Sequence, residues 1–199
     1  MIRFLILLLT VVATTGAFES SAILGMRCSK YGFVGYEYNN KWGLVYENSI
    51  FIQDVELQHG KILGYYHSSF NTIDLYYALF YGSRFNQDYY DYGGIFSAHY
   101  RTTSNLFHLN VRYQPFSDSD FGFKHGYYFS LQVLPFNEIG LFLGVRNLPD
   151  FRETERRLFG GIVFELPHLV LQPEISTPVR KGSRSVTRLS VNFIYKAPL

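Results

Sequence analysis

The chain has 199 residues, a formal charge of +2 at neutral pH, and 17% charged, 47% hydrophobic and 19% aromatic residues. So balanced a charge excludes a nucleic-acid binder or a basic membrane-surface protein, both of which need a pronounced cationic excess. A single cysteine, Cys28, excludes an intrachain disulfide, so the fold must draw its stability from strand pairing and burial.

Residues 1–3 give a positive start, 4–13 a compact apolar stretch and 14–17 a run of small residues ending in Ala17. That is a secretory leader, removed after Ala17 or, as a second choice, after Ala22. It is too short to cross a hydrocarbon core about 30 Å thick, which takes about 20 apolar residues in a helix. No later run comes close, which excludes a helical membrane protein and leaves residues 23–199 as a single domain. Cys28 follows Gly25-Met26-Arg27, and the bulky Arg27 argues against lipid attachment at the cysteine.

Beyond Ser29 apolar and polar side chains alternate with a period of two, which places one set on each face of a β-strand. The clearest instance sets Phe107, Leu109, Val111 and Tyr113 against His108, Asn110, Arg112 and Gln114. The last strand sets Leu189, Val191, Phe193 and Tyr195 against Arg188, Ser190 and Asn192. Strands are expected near 31–38, 42–47, 50–58, 61–67, 73–81, 94–101, 105–113, 126–134, 138–146, 158–166, 168–175 and 186–195. These make an all-β, closed antiparallel transmembrane barrel of about 10–12 strands, 12 favoured and 8 the lower limit. Turns at Asn39-Asn40-Lys41 and Glu47-Asn48-Ser49 would give the smaller number.

Connections at 102–104, 135–137 and Pro167 are tight, whereas 82–93, 114–125, 147–157 and 176–185 are long and polar. Long and short alternate, so the long loops share one side and the C-terminus lies on the other. Tyr81, Tyr100, Tyr113, Tyr127, Phe193 and Tyr195 sit toward strand ends, where a phenol ring suits the boundary between acyl chains and headgroups.

With these features in view, the whole mature chain resembles bacterial outer-membrane β-barrel proteins. Its stretch Ser190-Val191-Asn192-Phe193-Ile194-Tyr195 is similar to their C-terminal insertion signal, and Lys196-Ala197-Pro198-Leu199 runs on past the aromatic where most such proteins stop. The resemblance implies a Gram-negative outer membrane, with outer-membrane lipid and the barrel assembly machinery as partners. Neither cofactor nor metal is implied.

Turning the apolar set outward leaves Asp74, His99, Arg101, His108, Arg112, Gln132, Arg146, Glu165, Gln172, Glu174, Arg188 and Asn192 facing the lumen. Arg101, Arg112, Arg146 and Arg188 can line an aqueous path and attract anions, or Glu165, Glu174 and Asp74 can neutralise them in a salt-bridge plug. Gly140 and Gly144 on the same face either free lumen volume or relieve crowding. The favoured function is a narrow passive pore for small hydrophilic solutes, and the alternative is a structural or adhesive surface barrel with a plugged lumen.

A third function is an outer-membrane lipid acyl hydrolase. His67-Ser68-Ser69 is similar to the His-x-Ser element of outer-membrane lipid A deacylases, and a base two residues from a hydroxyl shares its strand face. No acid partner is evident, and the motif lies at a turn rather than near the chain's end. The remaining histidines, His59, His99, His108, His125 and His168, lack metal-ligand spacing, and Ser117-Asp118-Ser119-Asp120 offers too few ligands for a calcium loop. A rival fold comes from Lys41-Trp42-Gly43-Leu44-Val45, which is similar to the first strand of soluble lipid-carrying barrels, whose interior is apolar and whose exterior is polar.

Overall fold

The computed structural model describes residues 20–27, 31–49, 59–84, 88–120, 122–136, 138–147, 156–179 and 186–198. They form β1 (Ser20–Arg27), β2 (Tyr31–Tyr38), β3 (Trp42–Ser49), β4 (His59–Phe70), β5 (Ile73–Arg84), β6 (Tyr90–Arg101), β7 (Phe107–Asp118), β8 (Gly122–Phe136), β9 (Ile139–Arg146), β10 (Arg157–Leu166), β11 (Leu169–Pro178) and β12 (Arg188–Pro198). Each strand pairs antiparallel with its sequence neighbours. β1 closes the ring on β12, from Ser21↔Pro198 to Met26↔Phe193. Closure leaves no unpaired edge, a requirement in lipid, where backbone polar groups find no water.

The twelve-strand ring takes one strand from an unexpected place. The segment 50–58 lies outside the described residues, and β1 comes from residues 20–27, ahead of the first strand expected from the sequence. In β1 the apolar Ile23 shares a face with Ser21, Gly25 and Arg27 while Ser20 shares the other with Leu24, so its alternation is faint. A second departure concerns 114–125, read as a long loop. Here β7 runs on to Asp118 and β8 begins at Gly122, with Pro115 opposite His125 and Ser117 opposite Phe123. Pro115 and the acidic run 117–120 mimic a loop, yet Phe116 and Asp118 still alternate inward with Ser117 between them. The segment 82–93 likewise contributes the end of β5 and the start of β6.

The barrel is apolar outside, and its inside carries both buried polar groups and two apolar clusters. Along β5, Ile73, Tyr77, Leu79 and Tyr81 are exposed while Ala78, Phe80, Gly82 and Arg84 are buried. Leu79 is 73% and Leu189 82% exposed, whereas Glu47, Asp91, Arg157 and Glu174 are buried, the reverse of a water-soluble protein. Trp42 and Leu44 face outward, which removes the soluble lipid-carrying rival. Exposed aromatics lie at both ends of the barrel, with Tyr77, Phe96, Tyr113 and Phe129 between them. Tyr81, Tyr90, Tyr92 and Phe123 lie toward one end, and Trp42, Phe70, Tyr100, Phe107, Phe136 and Tyr195 toward the other.

The connections after β2, β4, β6, β8 and β10 lie at the same end as the start of β1 and the end of β12, here the turn end. Asn39, Asn40, Asn71 and Asn105 adopt φ of 50–56° there, a left-handed conformation that asparagine tolerates better than most residues. The connections after β7, β9 and β11 lie at the opposite, loop end. In a Cys28→Ser background, single cysteines at Ser119, Thr154 and Ser183 are expected to react with an impermeant maleimide on intact cells, and one at Thr103 to stay unlabelled. The reverse pattern would mean that the barrel stands the other way up.

Candidate functional site in the lumen

Hydrogen-bond register brings distant inward residues onto one path. His67 pairs with Tyr76, Tyr76 with Ser97, Ser97 with Arg112, Arg112 with Tyr128, Tyr128 with Arg146 and Arg146 with Arg157. Register partners lie across the strands, and barrel strands tilt by about 35–45° from the axis, so such a row climbs as it winds. It starts near the β4–β5 turn and finishes at Arg146 and Arg157, which flank the β9–β10 loop. Tyrosine and arginine side chains thus form a spiral from one mouth toward the other. Arg112 donates from Nε to Ser97 Oγ at 3.3 Å, and its guanidinium lies 5.9 Å from the Tyr128 ring. Arg146 lies 4.9 Å from the Phe159 ring and donates to Glu174 through both terminal nitrogens, at 2.8 and 2.6 Å.

A central cavity of about 900 Å³ runs along this path. Of the residues singled out from sequence, His67, Arg112, Arg146, Gln172, Glu174, Arg188 and Asn192 border it. Arg101, His99, His108 and Glu165 form a separate group at the turn end. Asp74 holds that group together, with Arg101 Nη2 at 3.0 Å and the rings of His67 and His99 each at 3.7 Å. The His99 and His108 rings meet at 5.0 Å, His108 Nε2 lies 2.8 Å from Asn105 Oδ1, and Gln132 donates to Glu165 at 2.6 Å.

Asp74 supplies the acid that the sequence did not reveal beside His67 and Ser69, but in the wrong arrangement for acyl transfer. Ser69 Oγ donates to Asp74 rather than to the imidazole, while His67 Nδ1 lies 3.0 Å from the Asn40 carbonyl. A nucleophile must give its proton to the base, and here the hydroxyl is bonded to the carboxylate instead.

Gly140 and Gly144 relieve crowding. A Cβ at Gly144 would lie 2.6 Å from Phe159 Cζ, and one at Gly140 would lie 2.6 Å from the Val133 carbonyl and 3.0 Å from Leu134 Cδ2. These glycines admit Leu134, Phe142, Phe159 and Val163, which pack together and narrow the lumen along β8–β10.

Sequence reasoning missed much of the lining. Glu37 accepts from Tyr65 Oη at 2.6 Å and pairs with Lys196, which also donates to Asn40 Oδ1 at 2.9 Å. At the loop end Asp91 bridges His59 at 2.7 Å and Lys61 at 2.9 Å, and Lys124 pairs with Asp118 at 3.0 Å. The Arg84 guanidinium stacks 3.9 Å over the Tyr89 ring. Burial, then the nearby carboxylates of Asp91 and Asp118, push the Tyr89 phenol above its ordinary range. The missed apolar set is Leu63, Tyr65, Tyr76, Phe80 and Ile95. For Tyr76 and Phe80 the signal was the unbroken run Leu75-Tyr76-Tyr77-Ala78-Leu79-Phe80-Tyr81, in which both faces are apolar.

No protein-family model matches the chain, and no curated protein matches it. Solved structures do. The KdgM porin in complex with disordered oligogalacturonate superposes with a TM-score of 0.63 at 13% identity, covering 89% of this chain and 98% of that one. The NanC porin in a rhombohedral crystal form superposes with a TM-score of 0.53 at 10% identity, covering 90% and 99%. At such identities the likeness shows a shared fold alone, a closed antiparallel β-barrel.

Proposed function

We propose that this protein is a narrow, non-enzymatic pore of a Gram-negative outer membrane, passing small hydrophilic solutes and favouring anions. The observation that carries this reading is the spiral of Arg112, Arg146 and Arg157 along a cavity of about 900 Å³ inside the barrel. Fixed guanidinium charges concentrate anions in a low-dielectric channel. The porin likeness supports the same reading. The packed aromatics on β8–β10 narrow the path, which suits small solutes over bulk flow.

Processing after Ala17 fits better than after Ala22. Ser20, Ser21 and Ala22 pair with Tyr38, Glu37 and Tyr36, and the later cut would remove them from β1. The alternating end of β12 is the segment that the barrel assembly machinery would engage.

Planar-bilayer recording tests the pore. Discrete conductance is expected, with a reversal potential in a KCl gradient that favours chloride. Arg112→Glu should move that potential toward potassium. A barrel that folds, as judged by its heat-dependent shift in SDS gels, yet stays electrically silent would leave the plugged, surface-binding barrel as the better account.

A further inference from the structure

The inward side of β3–β6 is more apolar than a water path requires. Val45, Leu63 and Phe80 are register partners on successive strands, and Tyr65, Ala78 and Ile95 form a second row toward the turn end. Val45, Leu63 and Tyr76 are half-buried and border the cavity, with Tyr65, Phe80 and Ile95 more deeply buried beside them. In the closed ring this wall lies across the lumen from β9–β12, which carry Arg146, Arg157 and Arg188 into the same cavity. Arg112 stands at the wall's turn-ward edge, joined to Tyr76 through Ser97 in the register row.

We infer that the lumen holds a binding site for small carboxylates bearing an aromatic ring, a substrate class that rests on the pore reading above. The ring lies on the wall formed by Val45, Leu63 and Tyr76, and the carboxylate faces Arg112 and the guanidinium groups opposite. Burying an aromatic ring there removes apolar area from water on both partners. Guanidinium groups match a carboxylate in charge and in planar geometry. A sugar acid has the charge, but hydroxyls laid on the Val45 and Leu63 side chains would find no partner there and lose their water bonds. Chloride has the charge and gains nothing from the wall.

Single-channel recording in KCl, with benzoate and galacturonate added in turn, tests the site. Benzoate is expected to reduce the current saturably, with half-block at a concentration about tenfold below that for galacturonate. Leu63→Gln and the milder Val45→Thr should raise the half-blocking concentration of benzoate without a matching rise for galacturonate, and Arg112→Gln should raise both. Folding of each variant is read from its heat-dependent gel shift, and Val45→Thr stands in if Leu63→Gln fails to fold. Equal block by galacturonate, or an unchanged benzoate preference in the wall variants, overturns the site and leaves the pore standing. A silent wild-type barrel overturns the pore and this site together.

Discussion

Arg146→Ala is expected to destabilise the barrel by about 3–5 kcal/mol, the cost of leaving a buried charge without its partner. Arg146 reaches from β9 across β10 to Glu174 on β11, through two hydrogen bonds of 2.6 and 2.8 Å. The Glu174 side chain is 2% exposed, so water cannot replace the lost guanidinium without rearrangement. Ser190 Oγ, 3.5 Å away, is a poor substitute. Gly161, on the strand between them, lets β10 and β11 approach closely beside Glu174. It pairs with both Phe142 and Glu174, and a Cβ there would lie 3.1 Å from Glu174 Cα and from Phe142 Cζ. The double variant Arg146→Ala/Glu174→Ala should recover most of the loss, because it removes the stranded charge as well. Urea midpoints of the barrel in phospholipid vesicles measure each corner of the cycle. Additive losses would show that the two side chains act independently.

The sequence made the outer surface legible and the inner one only partly so. Lipid demands an apolar side chain at nearly every outward position, so the period-two rhythm of Phe107 to Tyr113 and Leu189 to Tyr195 translates directly into strands and their facing. It placed Arg112, Arg146, Glu174 and Arg188 on the inward side, where they border the cavity. The lumen has no such uniform demand. Residues there pair across the barrel, and sequence spacing carries no trace of contacts such as Lys196 with Glu37 or Lys61 with Asp91. Where the inner wall is itself apolar, as in Tyr76-Tyr77-Ala78-Leu79-Phe80, the alternation disappears and the inward half goes unnoticed. Register was equally hidden. The Tyr76–Arg112–Tyr128–Arg146 row exists because each strand is offset by a fixed amount from its neighbour, a quantity that turn lengths set and composition does not.

Leu79→Arg should cost about 2–4 kcal/mol, whereas Tyr90→Arg should cost about 0–1 kcal/mol. Both side chains point away from the lumen and both are well exposed, Leu79 by 73% and Tyr90 by 46%. They differ in depth: Leu79 sits midway along β5, and Tyr90 is the first residue of β6 at the loop end. In water the two substitutions would be nearly alike, since an exposed leucine gains solubility from becoming arginine. In a bilayer the guanidinium at Leu79 must be drawn to the hydrocarbon midplane, while the one at Tyr90 reaches headgroups and water. The depth dependence therefore separates a lipid-facing belt from an apolar patch covered by another protein, which would penalise both sites according to contact and not height. Folding free energies in vesicles, with the wild-type chain as reference, provide the measurement. Equal costs at the two positions would remove lipid from the outer surface of this barrel.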